Sequence, residues 1–144
     1  MADLLRPEDL KKISEDIDME RAKKAFEKIQ AKEREARDLE DSFMHRDLHP
    51  DVKLRVNNAV KRAAEQGLNQ IQVLTFPASY CNDRGRRINN LEHDWPESLE
   101  GFAKRAYQFY LSELQPLGFK LTAQILDYPE GMPGTVGVFL SWDR

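Results

Sequence analysis

Apolar residues in the first third of the chain recur at helical spacing on a charged background. Leu10, Ile13 and Ile17 mark one face, and a second set falls near a three-four repeat: Met19, Ala22, Phe26, Ile29, Ala36 and Phe43. Pro7 suits a first helical turn, and Gly and Pro are absent from residues 8 to 49. The pattern predicts a long charged N-terminal helix or helical arm, weakly interrupted at Asp16 to Asp18. Glu33 occupies a position where the repeat expects an apolar residue.

The remainder of the chain alternates between helical and strand-like patterns. A helix with valines on one face is predicted from Pro50 to Gly67. Residues 71–76 form a strand pattern with apolar side chains on both faces, which favours a covered strand or one near the middle of a sheet. A core helix with a wide apolar face is predicted from Trp95 to Gly118. Two alternating strands follow at 119–126 and 136–142.

These elements predict an α+β fold with a small three-stranded sheet packed with helices. The core reads β-α-β-β, and a right-handed crossover leaves the last strand either at the edge or between the other two. The second option is a split β-α-β arrangement. We expect a charged helical arm at residues 1–47 and an α-β-α-β-β globular domain at residues 48–144. The arm either packs on its own domain or forms a coiled coil.

Charge and cysteine content narrow the classes of partner. The net charge is −3. Residues 1–47 carry 14 acidic and 11 basic side chains, and residues 48–144 carry 11 of each. Neither part has the basic excess typical of nucleic-acid binding, so we expect no nucleic-acid partner. No secretory signal or apolar run of membrane-spanning length is present, and Cys81 is the single cysteine. We therefore expect a cytoplasmic protein without a membrane partner.

The segment from Phe76 to Trp95 contains the candidate ligand site. Its arginines and asparagines could hold a phosphate or carboxylate, since guanidinium groups offer paired donors: Arg84, Arg86, Arg87, Asn89 and Asn90. The alternative is a solvated loop in which nearby acids, including Asp83, pair with the arginines. The later loop from Tyr128 to Thr135 could fold against this segment.

Other chemistry has weaker support in the sequence. Cys81 is a candidate reactive thiol if neighbouring cations lower its pKa, although a buried structural thiol is more common. His45 and His49 are four residues apart, but Pro50 makes a shared helical face doubtful, and we predict no metal site. We find no catalytic pattern and predict no catalytic residues and no cofactor.

Two functions remain open at this stage. The first is a non-enzymatic interaction or regulatory domain that associates with itself, as a homodimer for example, or with a protein partner through the N-terminal helix. Its contact residues would be Met19, Phe26, Ile29 and Phe43. The alternative is a domain that binds, or an enzyme that acts on, a small anionic ligand at residues 76–95. The sequence leaves enzymatic activity open, and the missing catalytic pattern weighs against it.

Overall fold

The computed structural model describes residues 3–142, and this part of the chain has an α+β fold, as predicted. Its α-helices are α1 (Pro7–His45), α2 (Val52–Glu65), α3 (Arg86–Asn89) and α4 (Gly101–Phe109). Its strands are β1 (Gln70–Pro77), β2 (Lys120–Ile125) and β3 (Thr135–Ser141). Short 3-10 turns at Ala78–Tyr80 and Trp95–Ser98 divide the connection between β1 and α4.

The strands form one sheet in the order β1-β3-β2, with β3 antiparallel to both neighbours. The last strand therefore lies between the other two, which is the split β-α-β arrangement. β1 lies at an edge, so it is not the central strand, and Gln72, Val73 and Thr75 are exposed, so it is not covered on both faces. Both expectations for residues 71–76 are therefore wrong. The central strand is β3, in which Val136, Val138 and Leu140 are buried.

A β-bulge explains why β1 looks apolar on both faces in the sequence. The register with β3 shifts between Gln72 and Leu74, so Val73 is the extra residue. Ile71 and Leu74 consequently pair with Leu140 and Val138 and share one face, despite their odd spacing. The bulge thus keeps the apolar side chains of β1 on the core side of the sheet.

The hydrophobic core lies on this one face of the sheet. It combines sheet residues with α4 and with the connection that follows β1: Phe76, Ala78, Cys81, Ile88, Leu99, Ala103, Val136 and Val138. Cys81 lies in this core, and Ile88 on α3 is 1% exposed. The segment 76–95 is therefore part of the core structure, even though its composition is polar.

α1 runs without interruption through Asp16 to Asp18, and none of its residues, all within the described range, is buried. Its apolar positions fall into two groups. Leu10 and Met19 are nine residues apart, as are Ile17 and Phe26, and nine residues are about 2.5 helical turns. The group formed by Leu10, Ile13 and Ile17 therefore lies on the opposite face of α1 from the group that begins at Met19.

The described chain divides into two compact units between Asp41 and Ser42, inside α1. The predicted boundary lay further along, after residue 47. The last turn of α1 belongs to the second unit because Phe43 contacts the rings of that unit's core. Its ring centroid lies 5.4 Å from that of Phe76 and 4.9 Å from that of Tyr80.

Two residues near the start of α4 hold this last turn in place within the second unit. Arg105 Nη1 donates hydrogen bonds to the carbonyl oxygens of Met44 and Arg46, both at 3.0 Å. Gly101 has a φ of 56°, and a Cβ built on it would lie 2.6 Å from Met44 Cα. The backbones therefore approach so closely that only glycine fits.

α4 leads into two turns of different pitch. A π-helical turn at Tyr110–Leu114 follows Phe109, and a 3-10 turn at Gln115–Leu117 precedes Gly118. The Tyr110 hydroxyl donates to the carbonyl oxygen of Phe119 at 2.8 Å, which ties the π-turn to the start of β2. The predicted core helix is therefore present, with its last turns wound more loosely and then more tightly than an α-helix. Its predicted start at Trp95 is wrong, because Leu99 and Glu100 have extended backbones and α4 begins at Gly101.

Candidate functional site

Asp83 organises the polar part of the segment between β1 and α4. Its Oδ1 accepts a hydrogen bond from the Gly85 N–H at 3.0 Å, and its Oδ2 accepts one from the Arg87 N–H at 3.0 Å. Gly85 has a φ of 86° and lies against Ala78, where an added Cβ would be 3.0 Å from Ala78 Cβ. The carboxylate thus starts α3 and fixes the turn that carries the arginines.

Two of the three predicted arginines pair with carboxylates of the same segment. Arg87 Nε lies 3.5 Å from Asp94 Oδ2 and 4.0 Å from Asp83 Oδ2. Arg86 Nη1 lies 3.7 Å from Glu92 Oε2. Arg84 is exposed and has a φ of 58°. A ligand anion would have to compete with these acids, so the geometry adds no support to the predicted anion site, which stays a prediction.

The asparagines have different surroundings. The Tyr128 hydroxyl donates a hydrogen bond of 2.7 Å to Asn89 Oδ1, so the expected contact between the two loops is present. Asp127 holds the base of the second loop, because its Oδ1 accepts from the Thr135 N–H at 2.8 Å. Asn90 is exposed at the end of α3. The side-chain oxygen of Asn89 is therefore used in a hydrogen bond to Tyr128 within the protein.

The surroundings of Cys81 oppose a reactive thiol. Cys81 is 4% exposed. Burial raises the pKa of its thiol to about 11; the charges of Asp83 and Glu100 add to this, and a hydrogen bond with Ser98 acts in the opposite direction. A nucleophilic cysteine needs nearby cations that favour the thiolate. At neutral pH this side chain is a protonated thiol in the core.

The residues predicted to bind a partner separate into two environments. Met19, Phe26 and Ile29 are 72%, 60% and 56% exposed. Phe43 instead packs in the aromatic cluster of the second unit, with its ring centroid 6.1 Å from that of Phe102. We therefore leave Phe43 out of the proposed partner surface, because its ring, although only half-buried, is already packed within the second unit.

A cavity that sequence reasoning missed lies between α2, α4 and the core face of the sheet. Its volume is about 130 Å³. The walls consist of aliphatic and aromatic side chains: Leu48, Val52, Val56, Val73, Leu74, Leu99, Phe102, Ala103, Ala106, Tyr107, Phe109, Tyr110, Leu114, Leu121, Val138 and Leu140. The one signal in the sequence was the surplus apolar residue of the strand 71–76, which the β-bulge turns into part of the wall.

Comparisons with known proteins add no functional information: no family model, curated protein or solved structure matches this chain. Within residues 3–142, no group of three or more His, Cys, Asp or Glu side chains is placed to hold a metal ion. None of the helices in the same range has the length and apolar character needed to cross a membrane. The functional argument therefore rests on the surfaces and cavities described above.

Proposed function

We propose that this protein is a non-enzymatic interaction module that associates with a second copy of itself through α1. The observation that carries the proposal is the exposed group Met19, Ala22, Phe26 and Ile29, called here the Met19–Ile29 face. Its spacing of three, four and three residues is that of a helix pair. A helix this polar gains most of its stability from a partner surface. The proposal keeps the expectation of a cytoplasmic location.

Residue sizes on the Met19–Ile29 face favour an antiparallel pair. If two copies cross near Lys24, Phe26 of one copy lies against Ala22 of the other, and Met19 lies against Ile29. The Phe26–Ala22 pairs then set a large side chain against a small one, as in well-packed helix interfaces, whereas a parallel pair in register would set Phe26 against Phe26. Glu15 and Glu33 occupy the next positions of the repeat on either side. These carboxylates limit the apolar contact to about three helical turns.

Charge along α1 also favours the antiparallel arrangement. Residues 8–20 contain six acidic and two basic side chains, whereas residues 21–37 contain seven basic and three acidic ones. A parallel pair in register would place each of these stretches beside itself, with like charges facing. In the antiparallel pair, residues 8–20 run beside residues 28–40, which carry four charges of each sign. The antiparallel pair therefore avoids the repulsion.

The expected association is weak. Three large side chains per copy, each a little more than half exposed, would contribute about 8 kcal/mol for the pair at about 2 kcal/mol per fully buried side chain. The loss of translational and rotational freedom opposes this by about 4–15 kcal/mol. At the lower end of this cost about 4 kcal/mol remains, so we expect a dissociation constant on the order of 1 mM.

The test is a double substitution on the full chain, Phe26→Gln with Ile29→Gln, followed by light scattering over a range of concentrations. Glutamine is a good helix former, so the change removes apolar surface and keeps the helix. We expect at least a tenfold weaker association. The matched control is Ile13→Gln with Ile17→Gln, the same change on the opposite face, which should leave association unchanged. Equal weakening by both double variants contradicts the proposed face.

A further inference from the structure

We propose that the cavity between α2, α4 and the sheet is a binding site for a small apolar molecule of about six carbon atoms, such as a single aromatic ring. This site is separate from the Met19–Ile29 face, because its lining residues all belong to the second unit. The inference therefore goes beyond the proposed self-association and does not depend on it.

The size and chemistry of the cavity set the ligand class. Its volume of about 130 Å³ is close to that of an engineered aliphatic cavity of about 150 Å³ that stays dry and binds benzene. The polar groups at its walls include the Tyr110 hydroxyl, which is already bonded to the carbonyl oxygen of Phe119 at 2.8 Å. A charged or strongly polar ligand would lose its hydration without compensation there. An apolar ring forms no hydrogen bonds with water, so its burial in the cavity carries no comparable cost.

Two irregularities of the backbone meet at this cavity. The β-bulge of β1 places Val73 and Leu74 in one wall. The π-turn after α4 places Tyr110 and Leu114 in another. β-bulges are over-represented beside active sites, and π-turns occur frequently at functional sites. Each irregularity interrupts regular hydrogen bonding, so their convergence on one cavity argues for a shaped site over an incidental packing gap.

α2 provides the wall that could open. Ala63 near its C-terminal end is buried, whereas Val52 and Val56, which line the cavity, are only half-buried. An ion pair between Lys53 Nζ and Glu113 Oε2, 3.5 Å apart and largely exposed, links its N-terminal turn to the π-turn. Surface ion pairs contribute little stability. Val73 is 43% exposed, so the cavity wall reaches the protein surface at the bulge. We therefore place the entry route of the ligand between α2 and β1.

The experiment uses the full chain and benzene as the probe. Titration of the ¹⁵N-labelled protein should give saturable amide shifts in α2, α4 and around Val73, with a dissociation constant on the order of 1 mM or tighter. Pyrazine, a ring of the same size with two polar nitrogens, is the ligand control and should bind at least tenfold more weakly. Absence of saturable shifts with benzene, or equal affinity for pyrazine, overturns the proposal.

Two variants locate the site. Ala106→Leu fills the cavity from α4 and should abolish the benzene response, while Ala59→Leu makes the same change at an exposed position of α2 and should leave the response intact. If Ala106→Leu does not fold, Leu114→Ala widens the same cavity and should raise the affinity for indole, a larger ring. Unchanged benzene binding in a folded Ala106→Leu variant, or unchanged indole binding in Leu114→Ala, overturns the assignment to this cavity.

Discussion

Substitution of Gly101 by alanine should destabilise the second unit strongly. Gly101 begins α4 at the point where the end of α1 passes over it. An alanine Cβ would lie 2.6 Å from Met44 Cα, 2.9 Å from the Phe43 carbonyl oxygen and 3.0 Å from Met44 Sδ. Two of these three atoms belong to the backbone, so rotation of a side chain cannot relieve the contacts. Either the last turn of α1 or the first turn of α4 must move.

The size of the effect follows from two contributions. Alanine at a φ of 56° costs about 1 kcal/mol relative to glycine. Carbon atoms prefer a separation of about 3.5–4.0 Å, and forcing extra atoms into a packed region costs about 1–3 kcal/mol. The expected loss in the free energy of unfolding is therefore about 2–4 kcal/mol. For a unit of roughly 100 residues, this lowers Tm by on the order of 10–20 °C.

Thermal unfolding followed by tryptophan fluorescence is the appropriate assay, because Trp95 and Trp142 both lie in the second unit. The circular dichroism of the helices would also include the first unit. Gly67→Ala is the matched control. Gly67 has a φ of 81°, and an added Cβ has no atom within 4 Å, so backbone strain is present without the contacts. If the two variants melt at the same temperature, the close approach of α1 and α4 does not hold this unit together.

Two further predictions concern the segment between β1 and α4. With a pKa of about 11, roughly one Cys81 thiol in a thousand is ionised at pH 8. A thiol reagent should therefore react at least 100-fold more slowly with the folded protein than with the unfolded protein. Comparable reaction rates would contradict the burial of Cys81. Because this pKa lies above the unfolded value of about 9, ionisation of the thiol opposes folding, and the free energy of unfolding should fall as pH rises from about 9 towards 11. In denaturant titrations Cys81→Ala should remove this part of the pH dependence and leave the part due to Tyr110, whose pKa burial also raises. Asp83→Ala removes the acceptor of two backbone N–H groups and should lower the free energy of unfolding by about 1–2 kcal/mol, whereas Arg84→Ala should change it by less than about 0.5 kcal/mol. An equal loss in both variants, measured in the same denaturant titrations, contradicts the role of Asp83.

Much of the fold follows from patterns that are local in sequence. The helix spacing in α1, the valine face of α2 and the alternation in β2 and β3 each reflect one side of an element facing the core. The right-handed crossover limited the sheet to two arrangements, and the observed β1-β3-β2 order is one of them. The bulge at Val73 was not predictable, since apolar residues on both faces fit a regular strand covered on both sides as well as they fit a bulge.

The roles of individual residues in the candidate sites were less predictable. Phe43 fits the helical repeat of α1 equally well as a partner contact or as a core residue, and only the tertiary packing against Phe76 decides between them. The segment from Phe76 to Trp95 is polar in composition, yet Ala78 and Ile88 bury it against the sheet. The cavity lies between elements that are distant in sequence, and the surplus apolar residue of β1 was the one local sign of it.

Sedimentation equilibrium of the full chain at protein concentrations from about 10 µM to 1 mM is the most direct test of self-association through α1. The average mass should rise with concentration from the monomer towards the dimer, with about half of the protein in dimers near 1 mM. The Phe26→Gln and Ile29→Gln double variant should stay close to the monomer mass throughout this range. A constant monomer mass for the unmodified chain up to 1 mM would contradict the proposal.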